Sequence, residues 1–254
     1  MKARGWRVFA TARRHDDLAR LRHEGLEALH LDYADEGSIE AALDAVLEAT
    51  GGRLEALFNN GGFAQPGAIE DLSMAAMREQ FEANFFGWHA LARRVIPVMR
   101  AQRSGRIVQN TSVLGLVALG FRGAYNATKF AVEGYTDTLR IELEGTGIKV
   151  ATIAPGPIRS RMTENATAAM KRHIDIERSV HRDYYLRRLK QLEAGGNRSA
   201  KLGPEAVLKA LVHACESRNP RLRYYVTSQT SVAATLRRLL PDRALHALMT
   251  RTTG

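Results

Sequence analysis

Short apolar runs alternate with longer amphipathic stretches along most of the chain. The runs are rich in β-branched or aromatic residues and lie at residues 7–12, 27–31, 54–60, 106–112, 149–155 and 223–227. Helical patterns separate them, including those at residues 39–50, 74–100 and 124–145. Strands and helices that alternate at this spacing predict parallel βαβ units. We therefore expect an α/β fold with a doubly wound, mostly parallel sheet in a single domain over residues 1–254.

Two segments depart from this alternation. Residues 160–202 include a basic helical stretch, residues 170–192, in which seven Lys and Arg face three Asp and Glu. Residues 229–254 form an amphipathic tail that Pro241 interrupts. We expect this tail to pack on the body, to contribute to a dimer contact or to touch a membrane surface, in that order.

The net charge of +10 raises the question of a nucleic-acid partner. The 30 Arg and 7 Lys are scattered along the chain, and no recognised nucleic-acid-binding motif occurs. A solvated, Arg-rich surface is therefore favoured, and nucleic-acid binding ranks last among the function classes considered.

The single cysteine, Cys215, lies in an apolar helical pattern, which predicts a buried, inert thiol in a reducing compartment. The sequence shows no signal peptide and no apolar run of membrane-spanning length. These features predict a cytoplasmic protein. The eight His lack metal-ligand spacing, so we expect no metal site and expect His173 and His181 to be solvated.

The strongest chemical signal is the pair Tyr125 and Lys129, one helical turn apart in AYNATKFAVEGY, with Ser112 upstream and Asn84 at the end of QFEAN. A tyrosine phenol has a pKa of about 10, and lowering it to about 7 requires about 4 kcal/mol of stabilisation of the phenolate. A lysine at i+4 can supply much of this. We expect Tyr125 to transfer protons, Ser112 to hold the substrate oxygen and Asn84 to anchor a water chain to Lys129.

Three further motifs stand at compatible spacings: LD at 31–32, NNGG at 59–62 and PGPIRS at 155–160. With the four residues above, they make the chain resemble a short-chain dehydrogenase/reductase from about residue 5 to about residue 228. The resemblance implies that the four residues form a catalytic tetrad, with Lys129 also holding the cofactor ribose. It further implies that residues 160–202 form a substrate lid, for which a solvated helical insertion is the alternative.

The resemblance also implies a nicotinamide cofactor. NAD users place an acidic residue at the end of the second strand, where ATARR has Ala12 followed by Arg13 and Arg14. A guanidinium suits a 2′-phosphate, so NADP is favoured over NAD, with Arg13 as the contact. Besides Tyr125 and Lys129, the implied cofactor contacts are Asp32 and Tyr33 near the adenine, Asn59, Asn60, Gly61 and Gly62 after a buried strand, and Pro155, Gly156, Ile158 and Ser160 at the nicotinamide.

One feature of this family is not found in the sequence. Neither G-x-G-x-x-G nor T-G-x-x-x-G-x-G occurs, and residues 1–5 resemble the last turn of a helix that closes on a C-cap glycine. We therefore expect an N-terminally truncated member that lacks the usual first strand, glycine-rich loop and first helix. A wrongly assigned start codon is favoured over a degenerate fragment or an unrecognised replacement element.

The stretch from residue 110 to residue 143 resembles the branch that includes retinol and 17β-hydroxysteroid dehydrogenases. This implies an apolar alcohol or carbonyl substrate near Leu114, Leu116 and Phe121, although these residues also suit ordinary packing. Helical patterns 74–100 and 124–145 resemble the pair that forms the dimer contact, which predicts a homodimer or homotetramer. The alternative function is that of a cofactor-deficient relative with a binding or regulatory role.

Overall fold

The computed structural model describes residues 1–193 and 201–253 of the chain. Strands occur at all six predicted places: β1 (Phe9–Ala12), β2 (Glu27–His30), β3 (Ala56–Asn59), β4 (Gly105–Asn110), β5 (Ile148–Ala154) and β6 (Arg223–Tyr225). The α-helices of the described residues are α1 (His15–His23), α2 (Glu36–Thr50), α3 (Met74–Phe81), α4 (Gly87–Gln102), α5 (Gly123–Glu142), α6 (Met162–His173), α7 (Arg182–Glu193), α8 (Glu205–Glu216), α9 (Ser228–Leu239) and α10 (Asp242–Thr253). The predicted α/β alternation is therefore confirmed.

The strands form two parallel groups. Strand β1 pairs with β2, and β3 to β6 pair in the order β3-β4-β5-β6. Within the described residues, no ladder joins β1 to β3, and a cleft lined by residues 4–7 and 53–56 lies beside them. The parallel strands all end at one edge, which is where ligands bind in such sheets.

Helices cover both faces of the larger sheet. Alternate residues of β4 point to opposite faces, as the two-residue repeat of a strand requires. Ile107 packs with Leu43, Val95 and Leu139 from α2, α4 and α5. Its neighbour Val108 packs in a second cluster with residues of α8 and β5. A strand buried on both faces reads as a continuous apolar run, as observed in the sequence.

Local signals account for several helix ends. The Asp35 carboxylate caps α2 by accepting from the Gly37 N–H at 2.9 Å, and α2 ends on Gly51 in the left-handed conformation (φ 65°). Residues Lys2–Arg4 form one 3₁₀ turn that closes on left-handed Gly5 (φ 86°). This turn has the predicted C-cap glycine.

The predicted single helix at residues 74–100 is divided. A π-helical segment, Glu82–Phe86, separates α3 from α4, and Asn84 lies within it. The prediction was wrong on this point because an inserted π turn leaves the apolar periodicity of the flanking helices nearly unchanged.

The two departing segments pack on the body. In the tail, Ala233 and Leu245 are buried against Val117, which agrees with the first of the three expected arrangements. The two histidines are partly exposed, and each also contacts a carboxylate: His173 Nε2 lies 2.9 Å from a Glu79 oxygen and His181 Nε2 lies 2.7 Å from one of Glu70. Residues 194–200 of the predicted lid lie outside the described residues.

Cys215 is buried as predicted. Burial raises the pKa of its thiol to about 11, so the thiol is protonated and unreactive at neutral pH.

Candidate active site

Ser112 and Tyr125 meet beyond the end of strand β4. Ser112 caps a 3₁₀ turn, Val113–Gly115, by accepting from the Leu114 N–H at 3.1 Å. Helix α5 brings Tyr125 to the same place, where the Ser112 hydroxyl hydrogen-bonds its phenol. Both side chains are buried, at 8% exposure each. A carbonyl oxygen placed between these two hydroxyl groups would receive two hydrogen bonds.

The charge state of Tyr125 differs from the expectation. Burial raises its pKa above the ordinary value, whereas the hydrogen bond from Ser112 and the positive charge of Arg122 act in the opposite direction. The Nζ of Lys129 lies 5.6 Å from the centroid of the tyrosine ring. The phenol is therefore protonated at neutral pH, which is the state that donates a proton to a carbonyl oxygen.

Lys129 is buried at the end of β4. Its Nζ donates to the Asn110 carbonyl at 2.8 Å and lies 4.5 Å from the centroid of the Trp88 ring. Burial lowers its pKa to about 7, against a weaker opposing effect of the Glu133 carboxylate. A lysine with this pKa is partly neutral at physiological pH, which weakens any stabilisation of the Tyr125 phenolate by its charge.

Asn84 is buried in the π-helical segment, and both polar atoms of its side-chain amide form hydrogen bonds. Its Oδ1 accepts from the Phe63 N–H at 3.1 Å, and its Nδ2 donates to the Phe63 carbonyl at 2.9 Å and to Thr128 Oγ1 at 3.4 Å. Thr128 directly precedes Lys129, so Asn84 is tied to the helix turn that carries the lysine. Its expected role in a water chain stays a prediction.

The NNGG residues follow strand β3 at the same edge. Both amide atoms of buried Asn59 lack a hydrogen-bond partner among the described residues, whereas Asn60 Oδ1 accepts from Asn110 Nδ2 at 2.6 Å. Gly61 accepts from Trp88 Nε1 at 2.9 Å through its carbonyl. A Cβ on Gly61 would lie 2.6 Å from the Tyr33 ring, and one on Gly62 would lie 2.6 Å from Asn84 Oδ1. Close packing explains the glycines here.

Arg13 and Asp32 lie together at the ends of β1 and β2. The Arg13 Nε is 3.9 Å from Asp32 Oδ2, and Arg13 is exposed. Arg14 instead points toward Asp16, at 3.5 Å, and precedes α1. Tyr33 packs against Gly61, and burial raises its pKa to about 12. The residues predicted at the adenine end therefore share the edge with the NNGG residues.

The segment after β5 lies on the opposite side of Ser112. The Pro155 carbonyl accepts from the Val113 N–H at 2.8 Å, which ties the segment to the turn after Ser112. A Cβ on Gly156 would lie 2.2 Å from Thr227 Oγ1, so the close approach requires glycine. Ile158 forms an isolated bridge with Leu202, and exposed Ser160 accepts from the Met162 N–H at 3.3 Å.

Sequence reasoning missed several neighbours of the site. Trp88 and Asn110 contact Lys129, and Arg122 affects Tyr125 electrostatically. The spacing contained a signal for two of them, because Trp88 lies one helical turn after Asn84 and Arg122 one turn before Tyr125. The contact between Lys129 and the Asn110 backbone carbonyl could not be predicted, because a backbone carbonyl does not depend on which side chain the residue carries.

Comparison with known proteins bears directly on this arrangement. The profile of the short chain dehydrogenase family matches residues 1–171. The chain belongs to this family. It is 38% identical over 249 residues to the uncharacterized oxidoreductase YbbO of Escherichia coli strain K12, with 98% of this chain and 87% of the relative covered. It is 31% identical over 231 residues to human retinol dehydrogenase 8, with coverages of 89% and 71%.

Solved structures of short-chain dehydrogenases share the fold. A protein from Streptomyces avermitilis superposes with a TM-score of 0.74 at 29% identity, covering 98% of this chain and 88% of the other. A Burkholderia phymatum protein in complex with NAD gives 0.77 at 25% identity, with coverages of 94% and 86%. An actinorhodin polyketide ketoreductase variant with NADPH gives 0.71 at 26% identity, with coverages of 90% and 88%. The chain is therefore a Rossmann-like oxidoreductase of the short-chain dehydrogenase/reductase type, and nicotinamide cofactors of both kinds occur in its structural neighbours.

The same comparisons correct one expectation. The family match starts at residue 1, and the Streptomyces structure covers 98% of this chain. These matches do not support the predicted N-terminal truncation. No helix among the described residues has the length and apolarity that crossing a membrane requires. The described residues also contain no group of three or more His, Cys, Asp or Glu arranged to hold a metal ion.

Proposed function

We propose that this short-chain dehydrogenase interconverts an apolar secondary alcohol and a ketone, or a primary alcohol and an aldehyde, with NADP as cofactor. The observation that supports this most strongly is the buried pair of hydroxyl groups, Ser112 and Tyr125, with the Lys129 amine close by at the carboxyl edge of a parallel sheet. Such an edge is where ligands bind in doubly wound folds.

The residues at the edge fit a nicotinamide cofactor. Asn59 offers a buried amide without a partner, Asn110 a buried Oδ1 without one, and Lys129 a buried amine. Arg13 and Asp32 would hold the adenosine end, with Tyr33 and the 59–62 segment beside it, and Pro155, Gly156, Ile158 and Ser160 the nicotinamide end. The cofactor, when bound, supplies or accepts the hydride.

In this proposal, Tyr125 handles the proton of the substrate oxygen. In reduction, its phenol donates a proton to the carbonyl oxygen, which Ser112 holds by a second hydrogen bond. In oxidation, the phenolate removes the alcohol proton. Lys129 would hold the cofactor ribose, and Asn84 would position the helix turn of Lys129 through Thr128.

The replacement Tyr125→Phe tests the proton-transfer role. It removes the acid and retains the ring, so we expect turnover to fall at least about a thousandfold while NADPH binding changes little. Steady-state rates with a panel of apolar aldehydes and ketones, and calorimetric titration with NADPH, measure the two effects. Tyr225→Phe is the matched control. Substantial residual activity in the Tyr125→Phe variant would contradict the assignment.

The preference for NADP is proposed to depend on Arg13. Its exposed guanidinium stands at the end of β1 and can form bidentate hydrogen bonds with a 2′-phosphate. We expect Arg13→Gln to reduce the ratio of NADPH to NADH efficiency about ten- to a hundredfold, measured as kcat/KM for each cofactor. Arg14→Gln should leave the ratio nearly unchanged, since Arg14 faces Asp16. An unchanged ratio in the Arg13 variant would refute this proposal.

Three further features belong to the same proposal. Leu114, Leu116 and Phe121 lie partly exposed next to Ser112 and Tyr125 along the chain and would contact the apolar part of the substrate. The protein would act as a homodimer or homotetramer. We propose a cytoplasmic location, which the protonated, buried thiol of Cys215 supports.

A further inference from the structure

Arg122 stands one helical turn before Tyr125, at the N-terminus of helix α5. Its Nη1 makes one long hydrogen bond, of 3.4 Å, to the Phe121 carbonyl. Burial lowers the pKa of this guanidinium, and the charged or titratable groups that act on it are Tyr184, Arg188 and Tyr125. None of these is a carboxylate. Arg122 is thus a partly buried cation close to the proposed proton donor and without an anionic partner among the described residues.

Arg188, on helix α7, is a second guanidinium in the same region. Its Nε is buried without a hydrogen-bond partner among the described residues, and its Nη1 donates to Gln191 Oε1 at 3.2 Å. Its charge is close enough to Arg122 to oppose the protonation of that residue. Two like charges that are partly removed from water are unfavourable unless an anion lies between or beside them.

Other arginines of the lid segment do have carboxylate partners. Arg172 lies 2.5 Å from a Glu79 oxygen, Arg182 lies 2.8 Å from one of Glu177, and Arg178 lies 3.7 Å from one of Asp175. The side chains of these paired arginines are 46–90% exposed, whereas Arg122 and Arg188 are partly buried and act on each other electrostatically. Arg122 and Arg188 differ from exposed Arg187, which also lacks a carboxylate partner among the described residues, because they are partly removed from water.

The position of α7 over the start of α5 is held by stacked rings. The Phe121 and Tyr184 rings lie 3.6 Å apart between centroids at an interplanar angle of 13°. Phe121 precedes Arg122, and Arg188 follows Tyr184 by one helical turn, so the stack holds the two guanidinium groups in the same neighbourhood. Lys129 lies on the other side of Tyr125, toward Asn110. A substrate could thus approach Tyr125 from the arginine side without displacing Lys129.

We propose that Arg122 and Arg188 bind an anionic oxygen group, a carboxylate or a phosphate, on the substrate whose carbonyl or alcohol carbon reacts at Tyr125. Guanidinium groups bind such oxygens through charge-assisted, bidentate hydrogen bonds. The inference rests on the proposed function and narrows its substrate to an amphipathic compound, apolar along its body and anionic at one end.

Binding measurements test this inference without turnover. The probes are a medium-chain ω-oxo carboxylate, its methyl ester and the ω-oxo alkyl phosphate of equal length, titrated calorimetrically into the protein. We expect one or both anions to bind about ten- to a hundredfold more tightly than the ester. The Arg122→Gln and Arg188→Gln variants should each lose this preference. Arg187→Gln is the matched control, because Arg187 is an exposed neighbour on the same helix.

The outcomes separate this inference from the proposed function. Equal affinity for anions and ester, or an equal loss in the Arg187 variant, overturns the anion site. If Arg122 acted only through the pKa of Tyr125, its replacement would lower the turnover of acid and ester alike and shift the pH profile of turnover. That result also overturns the anion site. If the protein prefers the anions but the Tyr125→Phe variant retains turnover, the proposed function is overturned and the anion site is not. If Arg122→Gln fails to fold, Arg188→Gln carries the same test from the other helix.

Discussion

At the residue scale, the charge of Lys129 depends on its burial. The amine is 4% exposed as a residue and has one hydrogen-bond acceptor, the Asn110 carbonyl. Its pKa falls from 10.5 to about 7 mainly because burial penalises the ammonium form. The pKa of Lys129 is thus lower in the folded than in the unfolded chain. At low pH the buried ammonium therefore destabilises the fold, and this destabilisation disappears as the pH rises toward 10.5.

This shift predicts how stability depends on pH. Between pH 7 and pH 9 the unfolded chain binds more protons at Lys129 than the folded one, so the free energy of unfolding should rise with pH. We expect the wild type to gain about 2 kcal/mol over this interval relative to Lys129→Met, in which the titrating group is gone. Urea unfolding at pH 7, 8 and 9 measures the difference.

The control for this prediction is Lys149→Met, since Lys149 is exposed. This variant should show the same pH dependence as the wild type. Parallel stability curves for the wild type and Lys129→Met across the interval would contradict the assigned pKa.

The sequence suggested the four candidate catalytic residues, but it could not predict their protonation behaviour. Identity and spacing brought together Ser112, Tyr125 and Lys129, because helix periodicity and strand order are encoded locally. The pKa of each group depends on burial and on groups distant in sequence, such as Glu133 and Arg122, whose positions relative to the tyrosine become visible only in three dimensions.

At the element scale, the segment that carries α6 and α7 is joined to the body by polar side chains. Tyr185, which is fully buried, accepts from the Ala68 N–H at 2.8 Å and donates to Asp71 Oδ2 at 2.6 Å. Ser179 donates to the same Asp71 oxygen at 2.7 Å, and His181 contacts Glu70. Residues 68–71 thus form the polar attachment for α7 and the residues before it, whereas Glu79 contacts Arg172 and His173 of α6.

Removing one hydroxyl should weaken this attachment. In Tyr185→Phe the Ala68 N–H loses its acceptor while remaining buried, which costs about 1–3 kcal/mol. We expect a lower free energy of unfolding and faster limited proteolysis within residues 174–193. Tyr225→Phe is the control, because no hydrogen bond of its hydroxyl occurs among the described residues. Unchanged proteolysis in the Tyr185 variant would show that the ring contacts alone hold the segment.

The sequence predicted strands more fully than the irregular elements. All six strands were found because buried parallel strands are short, apolar and β-branched. The π-helical segment at Glu82–Phe86 was missed, since a single π turn is too short for apolar periodicity to reveal it. The contacts of His173 and His181 were also missed, because their partners Glu79 and Glu70 lie about a hundred residues away.

At the scale of the whole molecule, the expected oligomer has a visible candidate surface. Phe86 and Phe130, on the π-helical segment and on α5, are 48% and 39% exposed. Phe86 packs edge to face on Phe85, which in turn contacts Tyr135 of α5. Aromatic side chains that remain exposed on adjacent elements are typical of contacts between protein chains.

If this surface joins two copies of the chain, a charge placed there should separate them. A symmetric dimer repeats each contact twice, so Phe86→Asp introduces two buried, unpaired carboxylates, and we expect the dissociation constant to rise more than about a hundredfold. Light scattering after gel filtration over a concentration series measures the mass of the particle.

The matched control is Leu239→Asp on α9, because Leu239 is 74% exposed and lies outside this surface. A wild type that is monomeric at every concentration, or a Leu239 variant that dissociates equally, would exclude the surface as the dimer contact. Selective dissociation of the Phe86 variant would assign the π-helical segment and α5 to the contact.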